Sequence, residues 1–194
     1  MNDRKLSMKH RNIICWPDLR LMIRSKEVND VDSSVLSLVE DMICTMDDTG
    51  RIALAAPQIG QNKRIFILNM ESLSLLDNYP HEKEIFVAID PKIVDGFGET
   101  ISLESTSDFP EEDFYVPRAH FISMVYKDIE GNNREINATG FLSIQIQSMI
   151  DVLDGCHLID SLNPHSRRET IERREKRKSD EAALEELYAI YGGD

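Results

Sequence analysis

Phe141-Leu142-Ser143-Ile144-Gln145-Ile146-Gln147-Ser148-Met149-Ile150-Asp151-Val152-Leu153 is the stretch that decides the fold of this chain. Its apolar residues lie around most of a helical circumference. A helix apolar on nearly all sides belongs in an interior, and Gly155 supplies its stop. Working upstream, His120–Tyr126 alternates, Glu130, Gly131, Asn132 and Asn133 signal a turn, and Arg134–Asn137 returns; the pattern predicts a β-hairpin. Arg64–Leu68, Ile85–Ile89 and Pro91–Val94 read as strands. The polar stretches 69–84 and 103–117 read as loops. Ala53–Gly60 is small and apolar, suited to close backbone packing. A further helix is predicted over Val31–Met46, with Asp32 and Ser33 as capping types and Leu36, Val39, Met42, Ile43 and Met46 at helical spacing. Downstream, Pro164 opens a charged helix running to about Ile190.

The class that follows is α+β: a mixed or antiparallel sheet around a central buried helix. One domain is expected over residues 1–194, with residues 164–194 as its charged C-terminal helix.

A net charge of −13 argues against the whole chain binding DNA or RNA, because phosphates repel it. Arg167–Lys178 is the exception. Seven basic residues against three acidic give it +4, leaving −17 on the remainder. That stretch reads either as a solvated helix face or as a contact surface. No apolar run spans a membrane, the N-terminus lacks a signal-peptide pattern, and three scattered cysteines form no disulfide framework. A cytoplasmic location is expected.

The motifs then become specific. Leu54-Ala55-Ala56-Pro57-Gln58-Ile59-Gly60, Gly98-Glu99 before Glu104, Val116-Pro117-Arg118, Gly140-Phe141, Gln147, Ile150-Asp151, Leu153, Gly155 and Ile159-Asp160 with Leu162 occur in this order. So does the opening Pro17-Asp18 with Arg20. Over nearly its whole length the chain resembles the peptide deformylases, which remove the formyl group from the N-terminal formyl-methionine of new bacterial polypeptides. The resemblance implies a Cys and two His holding Fe²⁺ or Zn²⁺, a Glu as general acid/base, and a Gln beside a backbone N–H for the oxyanion. It also implies a C-terminal helix that docks on the ribosome, a role open to Arg167–Lys178.

The departures fall on the chemistry. Thr106 stands where the family has its Cys, followed by Ser107. Ser148 and Val152 stand where it has the two His, and Met149 where it has the Glu. Arg51 and Ala53 replace two glycines of the first motif. Side chains four apart on a helix sit roughly 5–6 Å apart at Cβ, which lets two His grip one ion. A valine has no lone pair and neutral hydroxyls are weak ligands for these metals. Cys156 and His157 point to opposite faces of an extended segment and make no substitute site.

From these positions we expect a catalytically inactive deformylase-like protein that is no enzyme and takes no cofactor. Ser148, Met149 and Val152 serve as core filler, and Glu104, Arg118 and Asp151 are kept as structure. Its partners would be nascent peptide or the ribosome, with no membrane and no DNA. Gln58 is read either as orienting a peptide carbonyl or as satisfying a backbone group. Two alternatives stand beside this reading. One is a hydrolase that still removes the formyl group, through unconventional residues such as Thr106 or Ser107 with Asp108 or Asp151 as base. The other is an interaction module with an empty cleft.

Overall fold

The computed structural model describes residues 9–77, 85–106 and 109–191. Packing divides the chain into two compact units. The first comprises Met1–Ser102 with Pro117–Cys156, the second Leu103–Val116 with His157–Asp194.

The first unit is built on the alternation within β2 (Ile65–Asn69). This strand pairs antiparallel with β1 (Ala53–Ala55) on one side and with the start of β3 (Ile85–Thr106) on the other. Side chains of a strand alternate between faces. Ile65 and Ile67 therefore enter one core, with Leu54 and Ile89, and Phe66 and Leu68 enter another, with Ala53, Ala55 and Ala88. The first core is closed by α1 (Ser33–Thr49) through Val35, Leu38, Val39, Met42 and Met46. The second is closed by α3 (Gly140–Leu153) through Leu142, Ile146, Met149, Ile150 and Leu153. Both faces of the sheet are covered, so β2 reads as an unbroken apolar run.

The caps explain the helix ends. Asp32 Oδ1 accepts from the N–H groups of Ser34 and Val35 at 2.9 and 3.0 Å, and Gly50 at φ 64° closes α1. The sheet continues through β4 (Phe109–Lys127) to β5 (Asn133–Thr139), in the order β1-β2-β3-β4-β5. The β4–β5 pair is antiparallel, Phe121 facing Thr139 and Lys127 facing Asn133, as the predicted hairpin requires. The expected α+β class is the observed one, with an antiparallel sheet and a C-terminal helix, α4 (Pro164–Tyr191).

Three local expectations are corrected. Asn69–Asp77 is not loop: α2 (Met70–Asp77) forms there, its first turn capped by Asn69 Oδ1 accepting from the Ser72 N–H at 2.9 Å. Residues 78–84 of that expected loop lie outside the described residues. Pro91–Val94 begins no separate strand, because β3 runs through it. Asp90 takes φ 51° there, and its carboxylate accepts from the Val28 N–H at 2.7 Å and Lys127 Nζ at 2.9 Å. Most of 103–117 is strand, with Phe109, Phe114 and Val116 buried. Backbone pairing there overrides the turn-prone Ser, Asp and Pro.

In the second unit Phe109 and Phe114 meet edge to face, with ring centroids 6.0 Å apart. The Arg174 guanidinium lies 5.4 Å above the Phe109 ring, and Arg173 pairs with Glu112 at 2.7 Å. Among the described residues no helix is long and apolar enough to cross a membrane.

The β4–β5 turn is organised by Asp128, whose carboxylate accepts from the N–H groups of Glu130 and Asn132 and from Arg134 Nε at 2.7 Å. The Arg134 hydrogen bond, backed by the two N–H groups, holds the Asp128 pKa at about 2 instead of 3.8. A folded-state pKa below the unfolded one stabilises the fold above the unfolded value and ceases to do so as pH falls through the folded one. Thermal melts of wild type and Asp128→Asn should therefore differ by a constant amount above about pH 4 and converge between about pH 4 and 2. A gap unchanged down to pH 2 contradicts this account.

Candidate active site

The first motif sits where β1 turns into a short 3-10 helix, Ala56–Ile59. The Ala55 N–H donates to Gln58 Oε1 at 2.8 Å, and Gly60 ends the turn at φ 76°. The backbone requirement of the turn therefore takes up the Gln58 oxygen, which fixes the plane of the amide. Its NH₂ group remains to serve as donor. Both readings of Gln58 meet in one residue: the oxygen satisfies a backbone group, and the nitrogen can orient a carbonyl. This turn and β1 both pack on α3.

The stripe Ser143, Gln147, Asp151 of α3 meets β4. Gln147 Nε2 donates to the Ala119 carbonyl at 2.8 Å, and the Ala119 N–H donates to Gln147 Oε1 at 3.0 Å. Ser143 Oγ donates to the same carbonyl at 2.9 Å. At Ala119 the pairing with β5 has already ended, and the carboxamide of Gln147 stands in for the missing strand. One turn on, Arg118 Nη1 donates to Asp151 Oδ2 at 2.5 Å. The Arg118 side chain is only 5% exposed, so this charge is compensated inside the fold.

The neighbouring stripe carries the departures. Met149 is buried in the core beneath the sheet and Val152 packs against it half-buried; Ser148 is half-buried as well. Thr106 closes β3, half-buried in the second unit, as is Glu104. Glu104 and Arg118, both expected as retained structure, fall in different units. Ser107 and Asp108 lie outside the described residues. The structure thus brings Gln58, Ser148, Met149, Asp151 and Val152 to one helix and the corner packed on it. The sequence reading missed what Gln147 does: a polar side chain four residues from both Ser143 and Asp151, on an otherwise apolar helix, was the available signal.

The donor chemistry of Thr106, Ser148 and Val152 is two alcohols and a hydrocarbon, which does not fit Fe²⁺ or Zn²⁺ at those positions. Among the described residues no three His, Cys, Asp or Glu stand together to hold an ion.

Comparison with known proteins corrects two expectations. A peptide deformylase of Wolbachia pipientis wMel is 33% identical over 155 residues, covering 78% of this chain and 86% of the relative. One from Endomicrobium trichonymphae is 34% identical over 163 residues, covering 84% and 92%. The crystal structure of a peptide deformylase from Legionella pneumophila matches with a TM-score of 0.77 at 31% identity, over 90% of this chain and 98% of that one. That of Ehrlichia chaffeensis peptide deformylase in complex with actinonin gives 0.76 at 33%, over 88% and 98%.

Relatives this similar carry the name of an enzyme, which points to an active deformylase and overturns the expectation of an inactive, non-enzymatic chain. The family is metal-dependent, so the expectation of no cofactor falls too. The physical reason is that four unsuitable side chains exclude one ligand arrangement at four positions. They do not measure what the protein as a whole binds or catalyses. The polypeptide deformylase profile matches residues 10–168, and the chain belongs to that family.

Proposed function

We propose that this protein is a hydrolase that removes the formyl group from N-terminal formyl-methionine, with residues at positions 106, 148, 149 and 152 that depart from the family's pattern. In that reaction water adds to the formyl carbon, the C–N bond breaks, formate leaves, and the freed amine takes a proton. The observation that carries the reading is identity of about a third over most of both chains to proteins named peptide deformylase.

The retained corner supports it. Gln58 is held by its oxygen on the Ala55 N–H and offers a preset N–H donor to a carbonyl oxygen gaining charge, which is the kind of group that stabilises such a transition state. A cytoplasmic setting, with nascent chains as substrate, belongs to the same reading. It is supported by the absence of any disulfide among Cys15, Cys44 and Cys156.

The test is formate release from formyl-Met-Ala-Ser by the purified full-length chain, as isolated and after incubation with Fe²⁺ or Zn²⁺, with bound metal measured in parallel. Turnover above the enzyme-free control is expected in at least one preparation. No formate in any of them removes the proposal.

A further inference from the structure

Asp41, Thr45 and Asp48 of α1 stand four and three residues apart, so they share one stripe of the helix. The segment 9–11 is laid along that stripe. Asp41 accepts the Lys9 N–H on Oδ1 at 2.8 Å, and Arg11 Nε and Nη2 on Oδ2 at 2.9 and 2.7 Å. The Arg11 N–H donates to Thr45 Oγ1 at 3.0 Å, and that hydroxyl donates onward to the Asp41 carbonyl at 2.7 Å. His10 Nδ1 lies 3.2 Å from Asp48 Oδ2. The Asp41 side chain is 5% exposed. A carboxylate buried to that degree must be paired and hydrogen-bonded, and its partners here all come from the one segment.

Residues 9–15 form no helix or strand, and Lys9, His10, Asn12 and Cys15 are exposed. Ile13 packs half-buried on the core that α1 closes. With so little surface of its own buried, the segment takes its register from the α1 stripe. Three residues beyond Arg11 it reaches the candidate site: the Ile14 N–H donates to the backbone carbonyl of Gln58 at 2.8 Å. In that turn Ala56, Pro57 and Ile59 are buried and Gln58 only half-buried. Gln58 is therefore held from two directions, its side-chain oxygen by the Ala55 N–H and its carbonyl by this strap. Every residue involved belongs to the first unit.

We propose that Asp41 is a positioning residue for the formyl-peptide reaction. By seating the 9–14 strap on α1 it keeps the Ile14 N–H on the Gln58 carbonyl, and so aims the Gln58 NH₂ group. The inference rests on the reading of Gln58 as donor to the reacting carbonyl. A donor that stabilises developing charge works by being aimed before the charge appears, and a small misplacement lowers the rate of the chemical step. Loosening the strap should therefore be felt in kcat and leave KM in place.

Two variants of the full-length chain test this. Asp41→Asn removes the charge, and Thr45→Val removes the acceptor of the Arg11 N–H with little change of shape. Steady-state kinetics on formyl-Met-Ala-Ser, in the preparation that turns over, are joined to NMR of the chain without added metal. Asp41→Asn should lower kcat about tenfold at unchanged KM, and Thr45→Val about threefold. Combined with Gln58→Glu, neither should lower kcat by more than about a further twofold, because residues acting through one donor are not additive. In both single variants the side-chain NH₂ signals of Gln58 should shift and the Ile14 N–H should exchange faster, while the amides of α3 keep their wild-type positions.

The inference is overturned by an unchanged kcat, by a loss that multiplies fully with that of Gln58→Glu, or by Gln58 NH₂ signals that stay in place. A merely structural role gives the last two results. Should Asp41→Asn fail to fold, Thr45→Val decides by the same criteria. An active wild type with both strap variants unimpaired removes this inference and leaves the reaction standing. A wild type that releases no formate removes the reaction, and the Gln58 and Ile14 signals then decide alone whether the strap aims the amide.

Discussion

Gln58→Glu is expected to lower kcat/KM for a formyl peptide by about 10²–10³-fold while leaving the melting temperature close to wild type. The substitution is chosen because Gln58 does two jobs with two atoms. Its Oε1 accepts the Ala55 N–H at 2.8 Å and holds the Ala56–Ile59 turn together. A glutamate keeps that acceptor. What it removes is the NH₂ donor, and it puts negative charge where a carbonyl oxygen would itself become negative. Gln58→Ala loses both functions, and should add a stability loss of about 1 kcal/mol from the uncapped turn. Steady-state kinetics on formyl-Met-Ala-Ser with parallel thermal melts separate the two effects. Unchanged kcat/KM in Gln58→Glu would leave the amide with a structural role alone.

Gly155→Ala should destabilise the protein by about 2–4 kcal/mol, read from urea unfolding. Two costs add. Gly155 sits at φ 78°, where an alanine is strained. A Cβ there would also stand 2.8 Å from the carbonyl oxygen of Met22 and 2.9 Å from its carbonyl carbon, both backbone atoms that no rotamer can move aside. The close approach has a purpose: the Ser25 N–H donates to the Leu153 carbonyl at 2.7 Å, fastening the segment after Met22 to the end of α3. A loss below about 1 kcal/mol would mean that this segment yields easily.

What could be read from the sequence followed the strength of its periodicities. α1 and α3 were legible because Val39, Met42 and Met46, and Leu142, Ile146, Met149 and Leu153, recur at helical spacing and are indeed buried. β2 was legible as an apolar run because both faces are covered. α2 was missed because its eight residues give a helical period little room to show, and its Asn69 cap resembles a turn residue. The long β3–β4 ribbon was missed for the opposite reason. Phe97, Ile101, Leu103 and Tyr115 are exposed, so burial imposed no alternation there. Phe97 stacks instead on Phe121, with ring centroids 4.4 Å apart.

At the site, Arg118 and Asp151 were legible as positions kept from the family's motifs, whereas the clasp of Gln147 on Ala119 joins a side chain to a backbone 28 residues away and leaves no local pattern. The inference of inactivity from four side chains failed for a related reason. It judged the chain by single positions, while likeness to named enzymes extends over residues 10–168.

That clasp has one more consequence. Because Gln147 meets both the N–H and the carbonyl of a single residue, with Ser143 beside it, α3 is pinned against sliding or rolling on β4. Location is thus assigned to one stripe of the helix, and the adjoining stripe at 148 and 152 is released from it. Over generations, or in a designer's library, those two sites form a socket whose contents can be exchanged while the helix keeps its seat.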